Sequence, residues 1–270
     1  MSIANGDFFR TNSEVISWSG FRMRKNHSVG NFFEELYHLL SRNYRSEYIY
    51  KNQLTLEILS QYHSEKATVL TEFRSANCLA DALVLNGTSC AYEIKTELDT
   101  LDRLERQLAA YQQMFDQIYV ITSELQAEKL ILKLDSSVGI VVLKADLSMK
   151  RVRLAHSNKA DIDNGQIFDS LRAKEYLNIV HSQFGFTPDV PNTLRYTACK
   201  ELFMQLSPEI AHNEMVRVLK CRIPDVKAEI ALNLIPKSLS SLYLNSKFTE
   251  KQNNTFMKNL RLCHSDSLLN

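Results

Sequence analysis

What this sequence lacks narrows it first. It has no apolar run long enough to span a membrane and no signal-peptide core near its start, so a soluble chain is expected. Its five cysteines (Cys78, Cys90, Cys199, Cys221, Cys263) are odd in number and contain no Cys-x-x-Cys pair. That argues against a disulfide framework or a structural zinc site, and for a reduced, cytoplasmic setting. The seven histidines show no ligand spacing either. Neither a phosphate-loop motif nor Gly-x-Ser-x-Gly occurs, which removes the usual signals of ATP use and of a serine hydrolase. Charge of one sign is missing too. A formal net charge of +1 gives no global basic field, so contact with nucleic acid would need a local patch. No internal repeat or low-complexity tract is present.

What is there is an ordinary globular composition, 44% hydrophobic and 23% charged. Residues 29–45 and 46–63 carry apolar residues at helical spacing (Phe32, Phe33, Leu36, Leu39, Leu40; then Tyr48, Ile49, Leu56, Ile58, Leu59). Strands are expected over 67–74, 78–86 and 89–96, the last two joined by Asn86-Gly87, a dipeptide suited to a type I′ hairpin turn. A helix is expected over 99–115, where Leu101, Leu104, Leu108, Tyr111 and Phe115 draw one stripe and Asp99 is placed to cap it. Strand, helix, strand and edge strand follow over 117–123, 124–135, 138–146 and 150–156. The order predicts an α/β fold with a mixed central sheet.

Beyond the polar, turn-rich 157–166 the pattern becomes helical: 167–184, 192–207, 208–221 (opened by Ser207-Pro208), 226–235 and a weaker tail. Three regions are thus expected: an N-terminal helical extension (1–45), a central domain (46–156) and a helical C-terminal module (157–270). From 194 onward Lys and Arg outnumber Asp and Glu by eleven to seven, which a solvated helical surface accounts for. The pair 192–207 and 208–221 has a helix-turn-helix look, but no basic residues cluster on its second helix.

The chemistry is concentrated in "LADALVLNGTSCAYEIKTELD" (79–99). A charge inside an apolar strand is costly unless it is paired, neutralised or bound to a cation. Glu93 and Lys95 are two apart and share a face of their strand, and Asp81 lies across the hairpin. Two converging carboxylates beside an ammonium suit a hard divalent cation, with the ammonium near a bound water. The plain alternative is a hairpin-edge Asp81 with a half-exposed Glu93–Lys95 pair.

Asp81, an eleven-residue gap, then Glu93-Ile94-Lys95 resembles the signature of the PD-(D/E)XK nuclease superfamily. Gln107 and Tyr111 in "QLAAY" resemble the QxxxY element of its RecB-like members. The run from Ala80 to Thr122 is also similar to a bacterial and phage family of small PD-(D/E)XK proteins, with "DTLDRLERQL" matching that family's helix. Ala80 stands in place of the eponymous Pro, and Leu79 where that family has Arg. The resemblance covers about residues 45–145.

It implies a restriction-endonuclease-like αβββαβ core and a Mg²⁺- or Mn²⁺-dependent nuclease acting on DNA, in defence or mobile-element biology. Asp81, Glu93 and the Ile94 carbonyl would be metal ligands, and Lys95 would orient the attacking water. Gln107 and Tyr111 would face the site or the DNA backbone. A further acid is expected upstream, with Glu72 preferred to Glu57. Arg103 and Arg106 are weaker candidates for phosphate contact, a solvated helix face being the favoured reading. Dimerisation through the C-terminal helices is compatible with cutting two strands. The competing expectation is a non-catalytic protein on the same fold that binds nucleic acid, or a protein partner through those helices. Replacing Glu93 or Lys95 by Ala is expected to abolish cleavage and leave the fold intact.

Overall fold

The computed structural model describes residues 27–60 and 66–263. Most of the expected N-terminal extension (1–26) and the last turn of the helix expected over 46–63 lie outside the described residues. Two helices open the described chain. The first, α1 (Val29–Asn43), is capped by Ser28, whose hydroxyl accepts from Asn31 N at 3.2 Å. The second, α2 (Glu47–Ser60), buries Ile49, Tyr50, Leu54 and Ile58.

Six strands then form one sheet in sequence order: β1 (Thr68–Ser75), β2 (Cys78–Leu85), β3 (Ser89–Lys95), β4 (Gln117–Ser123), β5 (Gly139–Leu143) and β6 (Met149–Arg153). The first three pair antiparallel. β3, β4 and β5 pair parallel, because a helix crosses over in each connection: α3 (Leu104–Gln112) and α4 (Glu124–Lys133). β4 and β5 are almost wholly buried, as strands covered on both faces should be. β6, with Lys150, Arg151 and Arg153, closes one edge antiparallel, and its charge discourages further pairing. The result is a mixed α/β sheet in the α-β-β-β-α-β order expected.

The remaining helices are α5 (Asn164–Ser170), α6 (Ala173–Phe184), α7 (Asn192–Phe203), α8 (Pro208–Lys220), α9 (Asp225–Asn233), α10 (Ser240–Asn245) and α11 (Glu250–Leu260). One face of the sheet packs on α2, with Tyr50, Val69, Tyr92 and Ile121 in one cluster. The other packs on α3 to α8, where Leu83, Tyr111 and Val120 share a core with Phe168, Ile179, Phe203 and Met215. α1 and α9 to α11 make a third cluster.

Three local expectations are corrected. Leu85 pairs with Ser89, leaving three residues in the hairpin loop, and only Gly87 has a positive φ (+69°). A type I′ turn needs two such residues; Thr88 is instead held by its hydroxyl donating to Asp116. The helix expected from 99 begins at Leu104, because Asp99 caps the end of β3, accepting from Thr96 N (2.7 Å) and Thr96 Oγ1 (2.8 Å). The helix expected over 167–184 is broken after Ser170. Glu175 accepts from the Arg172 backbone N–H at 2.7 Å and starts a new helix there.

Gly139 is required by a close approach. A Cβ there would lie 2.3 Å from two Tyr119 ring carbons and 2.8 Å from Ala155 N. The Tyr119 ring is stacked on Tyr92, with centroids 5.2 Å apart, so it cannot swing away freely. Gly139→Ala is expected to cost about 3 kcal/mol, read as a lower urea midpoint.

Candidate active site

Strand alternation sets the site. Tyr92 and Ile94 join the core on the α2 side and Ala91 the core on the α3 side, so Glu93 and Lys95 project beneath α3. Glu93 is 2% exposed and Lys95 is 7% exposed. The Lys95 ammonium donates to Glu93 Oε1 at 2.8 Å and to Gln107 Oε1 at 3.2 Å. The Tyr111 hydroxyl donates to Glu93 Oε2 at 2.6 Å and also lies 2.8 Å from Leu79 O. Burial first, then the charge of Glu93, pushes the Tyr111 phenol far up, so it stays a donor. The helical spacing of four brings Gln107 and Tyr111 down on the same strand pair.

Asp81, on β2, accepts from Ile94 N at 2.7 Å. Ile94 therefore meets this carboxylate through its N–H. Burial, then the neighbouring Glu93 charge, pushes the Asp81 carboxyl up to about 7.

β1 contributes Glu72 through a distortion. The ladder runs Thr71↔Ala82 and Phe73↔Ala80, with no pair recorded between Glu72 and Asp81. Glu72 has φ +53°, left-handed backbone that a non-glycine residue adopts at a cost of about 1–2 kcal/mol. Strain of this kind collects at functional sites. The Glu72 carboxylate comes within 4.8 Å of those of Asp81 and Glu47. Among these three acids lies the Lys51 ammonium, 2.5 Å from Glu47 Oε1, 3.9 Å from Asp81 Oδ1 and in contact with Glu72 Oε1. Glu72→Gly relieves the strain and Glu72→Ala keeps it, while both remove the carboxylate. Glu72→Gly is expected to be the more stable of the two by about 1 kcal/mol in urea denaturation.

Glu47 and Lys51 escaped sequence reasoning because a Glu–Lys pair four apart on a helix reads as a surface contact. Glu57, the alternative upstream acid, lies elsewhere. It lines a cleft with Tyr37, His38 and Gln53, half-buried, its carboxyl pushed up by burial and drawn back by Arg151. Arg103 and Arg106 are exposed at the start of α3.

A second buried polar pair also went unforeseen. Ser89 Oγ lies 2.8 Å from His212 Nε2, both at 0% exposure, linking β3 to α8. Burial holds this imidazole below its usual range. With no access to solvent, the pair is a structural tie and not a nucleophile with its base.

The site holds four carboxylates (Glu47, Glu72, Asp81, Glu93) against two ammoniums (Lys51, Lys95). Even with the Asp81 carboxyl raised to about 7, acid exceeds base here, and oxygen-only donors suit a hard divalent cation such as Mg²⁺ or Mn²⁺.

A family model described as Bacteriophage P4 protein cII matches residues 41–240. Protein cII of Enterobacteria phage P4 is 24% identical over 208 residues, covering 75% of this chain and 78% of that protein. Among solved structures, the SPO1766 protein of unknown function from Silicibacter pomeroyi aligns at 16% identity. The alignment covers 37% of this chain and 67% of that one, with a TM-score of 0.31.

Proposed function

The chain belongs to the bacteriophage P4 protein cII family, and for this member we propose a divalent-metal-dependent nuclease that hydrolyses phosphodiester bonds in DNA, on a restriction-endonuclease-like core. The observation that carries the reading is the cluster of Glu47, Glu72 and Asp81, joined through Asp81 and the Ile94 N–H to the strand that holds the buried Glu93–Lys95 pair. Asp81, Glu93 and Glu72 would hold Mg²⁺ or Mn²⁺, with Glu47 beside them. When bound, the ion supplies Lewis-acid stabilisation of a phosphoryl oxygen and lowers the pKa of an attacking water.

The other roles belong to the chain. An ammonium has three donors, and Lys95 uses two, on Glu93 and Gln107. The third is left to orient a water or a phosphate oxygen. Tyr111 fixes the far oxygen of Glu93, so this carboxylate cannot rotate. The rigid strand pair and α3 thus set where the water stands before substrate arrives.

One observation favours a second reading. Lys51 already lies among Glu47, Glu72 and Asp81, as in a self-satisfied ionic cluster on a non-catalytic interaction protein. Incubation with single-stranded, duplex and branched DNA in Mg²⁺, Mn²⁺ or EDTA separates the two. Metal-dependent cleavage supports the nuclease. No cleavage, with no Mn²⁺ binding by calorimetry, overturns it in favour of the interaction protein. A cytoplasmic setting accords with five free cysteines. No helix among the described residues is long and apolar enough to cross a membrane.

A further inference from the structure

Next to Glu72 opens a cleft of about 910 Å³, walled by β1, the α5–α6 junction, the segment 222–227 and the end of α10. Its charge is one-sided: Arg74, Arg172, Arg222, Lys227 and Lys247 line it, and Glu72 is the sole acid in the lining. For a chain of net charge +1 this is a pronounced local excess. Arg222 is already committed, donating to both Glu175 oxygens (2.7 and 2.6 Å) and lying over the Phe73 ring. The side-chain charges of the other four form no ion pair within 4.0 Å among the described residues.

We propose that this cleft is the track for the phosphodiester backbone of DNA, with Arg74, Arg172, Lys227 and Lys247 as its phosphate contacts and Glu72 at its reactive end. It rests on the nuclease reading for what happens at that end, though not for binding itself. Cations contributed by four separate segments fit a repeating anion better than a single phosphate. Phe73, the one aromatic in the lining, is buried beneath Arg222, so no free ring is offered for base stacking. Recognition is therefore by charge, without base readout. Lys227 is consistent with this: burial alone, with no acid to offset it, holds its ammonium down to about 8, and its bond goes to Ser246 O. A phosphate would supply the missing counter-charge.

The test is fluorescence anisotropy on the full chain in EDTA, where cleavage plays no part, with a single strand and a duplex of equal length. A triple variant, Arg74→Ala, Arg172→Ala and Lys247→Ala, removes three exposed cations that take no part in the metal cluster. The wild-type chain is expected to bind with a steep salt dependence. The variant is expected to bind the preferred form at least about tenfold more weakly, with the log–log salt slope reduced by about one per removed cation. Its Tm and its Mn²⁺ affinity should be unchanged. The companion variant Arg103→Ala, Arg106→Ala should leave DNA affinity in place. Retained affinity and slope in the triple variant, loss in the α3 variant instead, or no binding by the wild-type chain at low salt would each overturn the proposal. Salt-dependent binding lost in the triple variant, with no Mn²⁺ binding by the wild-type chain, would support the cleft while ending the nuclease reading.

Discussion

Lys95→Ala is expected, on the proposed nuclease reading, to reduce cleavage by at least about a thousandfold, since it would remove both the orienting donor and an electrostatic stabiliser, and to destabilise the fold by about 3–5 kcal/mol. The second effect departs from what the strand pattern alone suggests. A half-exposed ExK pair would tolerate the loss of its ammonium. Here Glu93 is 2% exposed, and its oxygens are divided between Lys95 and Tyr111. Deleting the ammonium leaves a buried carboxylate with one phenol for a partner. A double variant, Glu93→Gln with Lys95→Met, removes both charges at nearly constant volume and is expected to recover most of the stability. It should recover none of the cleavage. Urea denaturation beside a cleavage assay tells the two effects apart. A double variant no more stable than Lys95→Ala would refute the buried-pair account, and one that still cleaves would remove Glu93 and Lys95 from the mechanism.

Asp116→Ala is expected to cost about 3 kcal/mol at pH 7, because one buried carboxylate ties together two segments of chain. Thr88 Oγ1 donates to one oxygen, at the hairpin loop. Ser157 Oγ and Asn158 N donate to the other, where the chain leaves the sheet for the C-terminal helices. The Asp116 N–H donates to Ser89 Oγ at 3.0 Å, and Ser89 in turn meets His212. Burial raises the Asp116 carboxyl, but the hydrogen bonds from Ser157, Thr88 and Asn158 outweigh it and hold it below its usual range. A depressed folded pKa contributes stability above the unfolded value of about 3.9, lost as pH falls through the lower folded value. The gap between the native chain and the variant should thus be full at pH 7 and shrink below about pH 4. Urea midpoints at several pH values would show it, and a gap independent of pH would refute the assignment.

Much of the site was legible because its spacings are local. Two residues apart in a strand, and four apart in a helix, each mean one face, so Glu93 with Lys95 and Gln107 with Tyr111 could be paired before any fold was known. The hairpin brought Asp81 alongside. Asp99 was misread for a related reason. It is an effective cap, and the sequence offers two backbones for it to cap; packing chose the end of β3. Ser170–Arg172 broke a continuous apolar pattern because Glu175 reaches back to the Arg172 N–H, a contact that periodicity does not encode.

By itself the sequence determined the element order, the mixed sheet implied by two helical crossovers, and the acids and lysine on the central strands. These follow from residue periodicity and from the charge an apolar strand tolerates. The tertiary structure alone decided that Glu47 and Lys51 join Asp81 and Glu72, that Glu57 does not, and that Arg74, Arg172, Lys227 and Lys247 share one cleft. The four cleft cations are up to 173 positions apart, and no local pattern records which distant segments meet. Burial, which makes Glu93–Lys95 costly to break, is set by that same meeting of segments.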